Sequence, residues 1–192
     1  MMPLASTLPN DDMLMNTPIE ILPVDDDATR DAAGLLITEY LQWLGGLATS
    51  NYGLSFDIEA MVASDLDERS KFYPPEGRFY VVRQGPDYVG VGCLKRLTPT
   101  IAEVQRMYVK PHVRGAGAGR RLVERLLADA RAMGYEGVRL ESLKFLAAAH
   151  ALYRSVGFVE ITPYADNSMK DYQSEEKLDT YRSSAVFMEL RF

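Results

Sequence analysis

The feature that most constrains this chain is a stretch of nearly bare backbone directly before a long amphipathic run. Residues 114–120, "RGAGAGR", place three glycines and two alanines between two arginines. The residues before them, "IAEVQRMYV", favour a β-strand, and those after them repeat apolar side chains at helical spacing. The repeat consists of Leu122, Val123, Leu126, Leu127 and Ala130. The pattern therefore predicts a strand, a glycine-rich turn and a helix in direct succession.

The glycine-rich turn is suited to binding an anion. A helix that begins directly after such a turn directs unpaired backbone N–H groups at whatever lies over its N-terminus. Glycine lets an anion approach that backbone closely, because no Cβ atom intervenes. Arg114 and Arg120 add guanidinium groups, whose geometry matches phosphate. The loop is therefore predicted to bind a phosphorylated ligand.

Three phosphate-binding motifs place glycines at such a turn, and their spacings differ. A Walker A loop ends in Gly-Lys-Ser/Thr, whereas this loop ends in Gly-Arg-Arg. A dinucleotide fingerprint, G-x-G-x-x-G, is half met by Gly115 and Gly117, with Glu136 or Glu141 about 20 residues further on, but an arginine holds its third glycine position. The third motif, [Arg/Gln]-x-x-Gly-x-[Gly/Ala], is met in full by residues 114–119.

Two linked motifs resemble the GNAT superfamily of acyl-CoA-dependent N-acyltransferases. The strand and its "VRGAGAGR" loop look like the family's pyrophosphate-binding motif, and Ala-x-x-Leu-Tyr-x-x-x-Gly-Phe at residues 149–158 looks like its second motif. The resemblance covers roughly residues 79–192. The chain departs from many relatives at one point, since the small polar residue expected before the second motif is here Phe145 or Leu146.

The remaining patterns predict a mixed α/β fold. The expected order is β-α-α-β-β-β-α-β-α-β-β, and the resemblance implies a GNAT-like, central twisted mixed sheet flanked by helices. Residues 1–18 are expected to form a flexible N-terminal tail, and residues 19–192 a single GNAT acyltransferase domain. The first helix is expected to end at Gly45 and Gly46, and the second to run from about residue 57 to the "PPEG" at residues 74–77.

The resemblance implies that acetyl-CoA is the cosubstrate and that no metal is used. The main chain of Met107, Tyr108 and Val109 is expected to pair with the pantetheine amides like an added strand. Ser142 either lines the cofactor cleft or ends its strand. The full set of expected cofactor-binding residues is Met107, Tyr108, Val109, Arg114, Gly115, Ala116, Gly117, Ala118, Gly119, Arg120, Ser142 and Tyr153.

Two residues are candidates for the acid–base chemistry. Tyr153 has a hydroxyl with a reference pKa near 10, so it can protonate a departing thiolate, whose reference pKa is near 8.5. Alternatively it is a core aromatic with one wet end. Glu103 either acts on the acceptor amine as a base through ordered water or is a polar residue at a strand end. The aromatics Tyr40 and Trp43 are expected to pack the first helix.

Composition excludes several classes of function. A formal net charge of −6 argues against a nucleic-acid binder. One cysteine, Cys93, and two histidines supply neither a disulfide framework nor zinc-ligand spacing, so Cys93 is expected to be a small core residue of a cytoplasmic protein. No apolar run approaches the roughly 18 residues of a membrane span. Open strand edges in such a sheet would allow a homodimer.

The expected activity is N-acetyl transfer from acetyl-CoA to a primary amine of an unidentified small-molecule or peptide acceptor, by direct attack in a ternary complex. Two alternatives stay open: an inactive acyl-CoA-binding sensor or regulatory domain, and a nicotinamide-nucleotide oxidoreductase.

The connector at residues 162–184 is long for a compact domain. It is either an acidic lid that favours a cationic amine or a solvated loop. Its acids and tyrosines are Tyr164, Asp166, Asp171, Tyr172, Glu175, Glu176, Asp179 and Tyr181.

Overall fold

A seven-stranded sheet forms the centre of the computed structural model, which describes residues 17–164 and 174–192 apart from the side chains of Glu175 and Glu176. The sheet order is β1-β2-β3-β4-β5-β7-β6. All described neighbours are antiparallel except β4 and β5, which are parallel. The strands are β1 (Ile19–Pro23), β2 (Arg78–Gln84), β3 (Asp87–Arg96), β4 (Ile101–Val109), β5 (Gly137–Leu143), β6 (Val159–Ile161) and β7 (Ala185–Arg191).

Helices cover both faces of this sheet. Leu122, Leu126 and Ala130 are fully buried against one face, as their spacing predicts. Leu36 and Ile37 are buried against the other, together with strand residues such as Val91. The helices are α1 (Asp27–Tyr52), α2 (Ile58–Leu66), α3 (Ala118–Ala132), α4 (Ala147–Ser155) and α5 (Glu175–Ser184). The mixed α/β fold with a flanked central sheet is therefore confirmed.

The first two helices differ in length from the prediction. α1 does not end at the glycine pair but continues to Tyr52 and ends at Gly53, whose backbone is left-handed with φ 67°. A Cβ atom on Gly45 would lie 3.7 Å from side chains of both Phe56 and Ile58. That distance is an ordinary van der Waals contact, so the packing does not require glycine here, and the helix continues through the glycine pair. α2 in turn ends at Leu66, about two turns short of the predicted end.

Helix α5 is absent from the predicted element order. It lies in the acid-rich connector, where Leu178 and Tyr181, three residues apart, pack into a small apolar cluster with Leu143 and Phe187. Most residues of this segment are polar, which obscured the helical spacing of its few apolar side chains. The interpretation of the connector as a solvated loop is therefore wrong for its helical part. Residues 165–173 of the connector lie outside the described residues. Residues 1–16 of the predicted tail also lie outside them.

Strands β4 and β5 separate after a short paired segment. They pair only from Ile101 opposite Gly137 to Glu103 opposite Arg139. Beyond that point β4 continues to Val109 and β5 to Leu143. A wedge opens between them at their carboxyl ends, and the edges of both strands that face it are free of this pairing.

An ion pair at the start of the wedge holds an irregular segment of β4. The β3–β4 register shifts opposite Arg106, which is the one described non-glycine residue with a positive φ, 54°. Its guanidinium binds the carboxylate of Asp65 on α2 with two contacts of 2.5 and 3.3 Å, and the Asp65 side chain is fully buried. Left-handed backbone costs a non-glycine residue about 1–2 kcal/mol, so this contact helps to hold the distortion.

We expect the Asp65→Ala variant to lose about 3 kcal/mol or more of unfolding free energy, because breaking a buried ion pair leaves an uncompensated charge. Urea denaturation followed by circular dichroism measures the change. Asp67→Ala, two residues further on at an exposed position, is the matched control and should cost less than about 1 kcal/mol. Equal losses in the two variants would show that the buried pair contributes nothing beyond an exposed aspartate.

Candidate active site

The wedge opens into a cleft of about 550 Å³ that runs past the end of β4, the glycine-rich loop and α4. Of the predicted cofactor-binding residues, Ala116 and Ser142 do not line it, and Ser142 instead lies in the wall of a neighbouring cavity. The structure brings the others together along one cleft. They are Met107, Tyr108, Val109, Arg114, Gly115, Gly117, Ala118, Gly119, Arg120 and Tyr153.

The glycine-rich loop presents unpaired amides to this cleft. Gly115 and Gly117 have φ values of 89° and 87°, and a Cβ atom on either would meet nothing within 4 Å. No side chain caps α3, and its first helical hydrogen bond runs from the Arg121 N–H to the Gly117 carbonyl. The N–H groups of the first turn are thus left for a ligand, and open space lies over them. These properties fit a pyrophosphate.

Both loop arginines are held at the cleft by neighbouring groups. The Arg114 Nε donates to the Val109 carbonyl at 2.9 Å, and its guanidinium lies 5.6 Å from the ring centre of Trp43. Arg120 contacts Glu124 at 3.1 Å and donates to the Ser155 hydroxyl at 2.8 Å. Stacking and hydrogen bonding thus orient the guanidinium groups beside the unpaired amides.

Sequence reasoning placed Tyr40 and Trp43 in helix packing alone, but both line the cleft. Trp43 is 40% exposed, and the two rings surround Tyr108 with centroid distances of 6.5 Å from Trp43 and 5.5 Å from Tyr40. The Tyr108 hydroxyl donates to Glu39 at 2.6 Å, and burial raises its pKa to about 12. The sequence signal for their shared position was the i, i+3 spacing, which places the two aromatic side chains on one face of the helix.

Tyr153 is buried at the inner end of the cleft. Its ring packs edge-on against Phe158, with the ring centres 5.8 Å apart. Burial raises the pKa of its phenol above the ordinary value, and the charge of Tyr40 adds to this. Among the described residues the hydroxyl has no hydrogen-bond partner. A protonated hydroxyl is therefore available to a group in the cleft.

Glu103 is fully buried, and both of its carboxylate oxygens are occupied. Oε2 accepts a hydrogen bond from the Gln105 side-chain amide at 2.8 Å and lies 3.1 Å from the Lys95 ammonium. Oε1 accepts from the Tyr164 hydroxyl at 2.8 Å. This carboxylate lies on the sheet face covered by α1, but it lines neither the cleft nor the neighbouring cavity.

A second carboxyl, which sequence reasoning passed over as a catalytic candidate, lies in the wall of the neighbouring cavity. Glu141 on β5 borders this inner cavity of about 70 Å³, and its Oε2 is buried without a partner among the described residues. Burial raises the pKa of Glu141 to about 8, the charge of Glu103 raises it further, and the charge of Lys95 opposes both. Glu141 follows the buried Leu140 on a strand, so the two side chains point to opposite faces of the sheet. This alternation was the sequence signal that could have identified Glu141 as a candidate.

The connector reaches this region through two tyrosines. Tyr164 contacts Glu103, and Tyr181 on α5 lies in the wall of the inner cavity. Of the predicted lid acids, Asp179 is exposed and pairs with Arg182 at 3.3 Å. Asp166, Asp171 and Tyr172 lie outside the described residues, and the side chains of Glu175 and Glu176 are not described.

Comparison with known proteins identifies the family. The acetyltransferase (GNAT) family pattern matches residues 45–158. The chain belongs to the GNAT acetyltransferase family. An IAA acetyltransferase of Azospirillum brasilense is 34% identical over 136 residues, which are 70% of this chain and 82% of the relative. The uncharacterized N-acetyltransferase YjgM of Escherichia coli is 37% identical over 118 residues, which are 59% of this chain and 71% of YjgM.

The fold of this GNAT protein matches solved structures. PaiA N-acetyltransferase of Thermoplasma acidophilum, solved in complex with coenzyme A, has a TM-score of 0.64 at 16% identity, over 91% of this chain and 99% of that one. An acetyltransferase of Streptococcus agalactiae also has a TM-score of 0.64, at 21% identity, over 91% and 98% of the two chains. The predicted GNAT fold is therefore confirmed.

Family membership also decides the class of activity. The protein is an acyltransferase that uses acetyl-CoA and an acceptor, and an inactive sensor is not favoured. Cys93 is fully buried, as predicted for a core residue, and burial raises the pKa of its thiol. Within residues 17–164 and 174–192, no helix is apolar and long enough to cross a bilayer.

We expect Arg114→Gln to weaken coenzyme A binding about 10- to 100-fold, because a charge-assisted hydrogen bond is worth about 1.5–3 kcal/mol. Trp43 is the only tryptophan of the chain and borders the cleft, so its fluorescence reports binding in the unlabelled protein. The control is Arg131→Gln at the other end of α3, whose guanidinium lies over Phe192 at 4.4 Å. Equal affinities in the two variants would contradict a phosphate contact by Arg114.

We expect Glu141→Gln to stabilise the protein increasingly as the pH rises. The folded state holds the Glu141 proton more tightly than the unfolded chain, so the wild-type free energy of unfolding falls between about pH 4.5 and pH 8. One pKa unit corresponds to about 1.4 kcal/mol, so the variant should gain more than about 2 kcal/mol at pH 8. Urea denaturation across this pH range measures the gain.

The matched control for this experiment is Glu136→Gln, an exposed position directly before the same strand. It should leave the pH dependence of the unfolding free energy unchanged. A Glu141→Gln variant whose unfolding free energy follows the wild-type pH dependence would show that Glu141 does not take up a proton on folding.

Proposed function

We propose that this GNAT protein transfers the acetyl group of acetyl-CoA to a primary amine by direct attack in a ternary complex. The observation that carries the proposal is one continuous cleft. It joins the unpaired amides of the glycine-rich loop, the free edge of β4 beyond Glu103 and the hydroxyl of Tyr153. A phosphate-binding end and a proton-donating end are thus separated by an extended backbone edge.

Each end of the cleft has its own part in binding acetyl-CoA. The amides at residues 115–120, with Arg114 and Arg120, bind the pyrophosphate. The main chain of Met107, Tyr108 and Val109 pairs with the pantetheine amides, which is supported by the separation of β4 from β5 at this point. Acetyl-CoA supplies the activated acyl group, and this arrangement directs its thioester toward Tyr153.

Tyr153 is the proposed proton donor to the departing sulfur. Its hydroxyl stays protonated because burial raises its pKa, and it has no competing partner among the described residues. The amine nitrogen sheds a proton once the C–N bond has formed, and that proton restores the phenol.

Glu103 is proposed to influence the proton path from outside it. Its position between Lys95, Gln105 and Tyr164 leaves no oxygen free for direct contact with an acceptor. Its charge acts instead on Glu141, whose pKa it raises. A base role for Glu103 is thus exerted through its neighbours.

The proposed setting is cytoplasmic, with a small-molecule or peptide amine as partner and no role for nucleic acid. The buried single thiol and the acidic composition support it. β1 and β6 are the edge strands of the described sheet, and a homodimer would use one of them.

We expect Tyr153→Phe to lower kcat about 100-fold with little change in acetyl-CoA affinity, because the hydroxyl acts only while the C–S bond breaks. Release of coenzyme A is followed over a panel of polyamines, amino acids, aminoglycosides and peptide N-termini. Tyr135→Phe is the control, since that hydroxyl donates to the Glu76 carbonyl elsewhere in the fold.

Two results would contradict the proposed function. Tight acetyl-CoA binding without transfer to any amine would favour the sensor. Thermal stabilisation by NAD and none by coenzyme A would favour the oxidoreductase.

A further inference from the structure

We propose that the inner cavity holds the acceptor's amino group as an ammonium ion between Glu141 Oε2 and Gln105 Oε1, and that Glu141 takes its proton. This inference rests on the proposed function and names its substrate class, an unhindered primary amine. It assigns the direct proton acceptor to β5, whereas the sequence placed the candidate base on β4.

Besides donor-bearing side chains such as Arg106, Ser142 and Tyr181, the cavity wall holds two buried oxygens with open hydrogen-bonding positions. Glu141 Oε2 and Gln105 Oε1 are buried and have no partner among the described residues. The Gln105 amide cannot turn over without loss, because its nitrogen donates to Glu103 at 2.8 Å. The two open positions are therefore both acceptors. An ammonium group, with three donors and no acceptor, fits them.

The Glu141 carboxylate, when ionised, is the buried charge of the cavity that lacks a counter-ion among the described residues. Two other buried carboxylates nearby have counter-ions: Glu103 pairs with Lys95 at 3.1 Å, and Asp65 pairs with Arg106 at 2.5 Å. Glu141 has no cation within ion-pair distance in the described part of the chain. A bound ammonium ion supplies a counter-ion for the ionised form of Glu141.

The cavity adjoins the place where the thioester is expected. Tyr40 and Leu146 line both the inner cavity and the cofactor cleft. Tyr40 and Tyr153 both line the cofactor cleft. The inner cavity and the cofactor cleft are thus neighbouring spaces that share two wall residues.

The volume of the cavity restricts the acceptor. About 70 Å³ holds roughly two groups of water size, since each occupies about 30 Å³. The walls beside the two acceptors are largely apolar or aromatic, with Leu41, Leu44 and Phe56 among them. So narrow a space favours an amino group on an unbranched carbon over one on a tertiary carbon.

The chemical steps balance in protons and bonds. The ammonium ion gives one proton to the Glu141 carboxylate, and the freed nitrogen lone pair forms the C–N bond with the carbonyl carbon. Tyr153 gives its proton to the sulfur as the C–S bond breaks, and it recovers one from the new amide nitrogen. Glu141 then releases its proton to water. An ammonium ion and a thioester become an amide, a thiol and one proton.

The titration of Glu141 depends on every charged group packed around it. Glu103 on β4 raises its pKa, while Lys95 on β3 and Arg106 on β4, which is paired with Asp65 of α2, lower it. The Tyr181 hydroxyl of α5 also lowers it. With a pKa of about 8, Glu141 is mostly protonated at pH 7 in the empty cavity.

Calorimetry tests the site without catalysis. The coenzyme A complex is titrated at pH 7 with n-propylammonium chloride in two buffers of different ionisation enthalpy. Glu141 is mostly protonated in the empty cavity and loses that proton when the ammonium ion binds beside it. Binding should therefore release about one proton per amine. Glu136→Gln should behave as the wild type, and Glu141→Gln should release no proton. Absence of binding to the wild type, or equal proton release from Glu141→Gln, would overturn the proposal.

Kinetics then separate this proposal from the proposed function. With n-propylamine, kcat/KM should rise tenfold per pH unit up to about pH 8, and Glu141→Gln should lose about 100-fold and this pH dependence. tert-Butylamine should react at least tenfold more slowly than n-propylamine. Amine acetylation that Glu141→Gln leaves unchanged would overturn the proposal and leave the proposed function standing. Absence of acetylation of every amine would contradict the proposed function. The proton release measured by calorimetry would still show whether Glu141 binds the ammonium ion.

Discussion

The early separation of β4 from β5 is the constraint on which the rest of this structure depends. A parallel pair that stops after three residues leaves two strand edges without partners in the middle of a sheet. Two spaces adjoin this opening: the inner cavity, whose wall includes Tyr181 of α5, and the cleft that is proposed to bind acetyl-CoA. The cofactor is therefore expected to complete the sheet as well as to supply the acyl group.

Buried charge is concentrated on the face of the sheet where acyl transfer is expected. Lys95, Glu103, Asp65 and Arg106 form two ion pairs within one layer of side chains. Such pairs contribute little net stability, since each charge must lose its water. Their role here is to hold two strands and α2 in one register around the inner cavity. Glu141 in the cavity wall is left without a counter-ion among the described residues.

Local patterns predicted most of the fold and most of the residues that line the cleft. The β2–β3 hairpin, the apolar face of α3 and the glycine-rich loop each arise from neighbours in sequence, so periodicity and turn residues reveal them. The acceptor half could not be predicted in this way. Glu141 on β5 and Gln105 on β4 line the same cavity, at the place where the two strands diverge. α5 packs against Leu143 and Phe187, which lie on strands distant from it in sequence or in pairing. Sequence distance conceals such contacts.

The hydrogen bond from Gln105 to Glu103 has a consequence for how this family can change its acceptors. It fixes which end of an amide faces the inner cavity, although Glu103 itself does not line that cavity. If a cation replaced Glu103, the Gln105 side chain would gain by rotating, because its oxygen would then face that cation. Its NH₂ group would face the inner cavity, which would then present a donor in place of one of its two open acceptors. A residue one layer behind the wall thus sets the polarity of the wall.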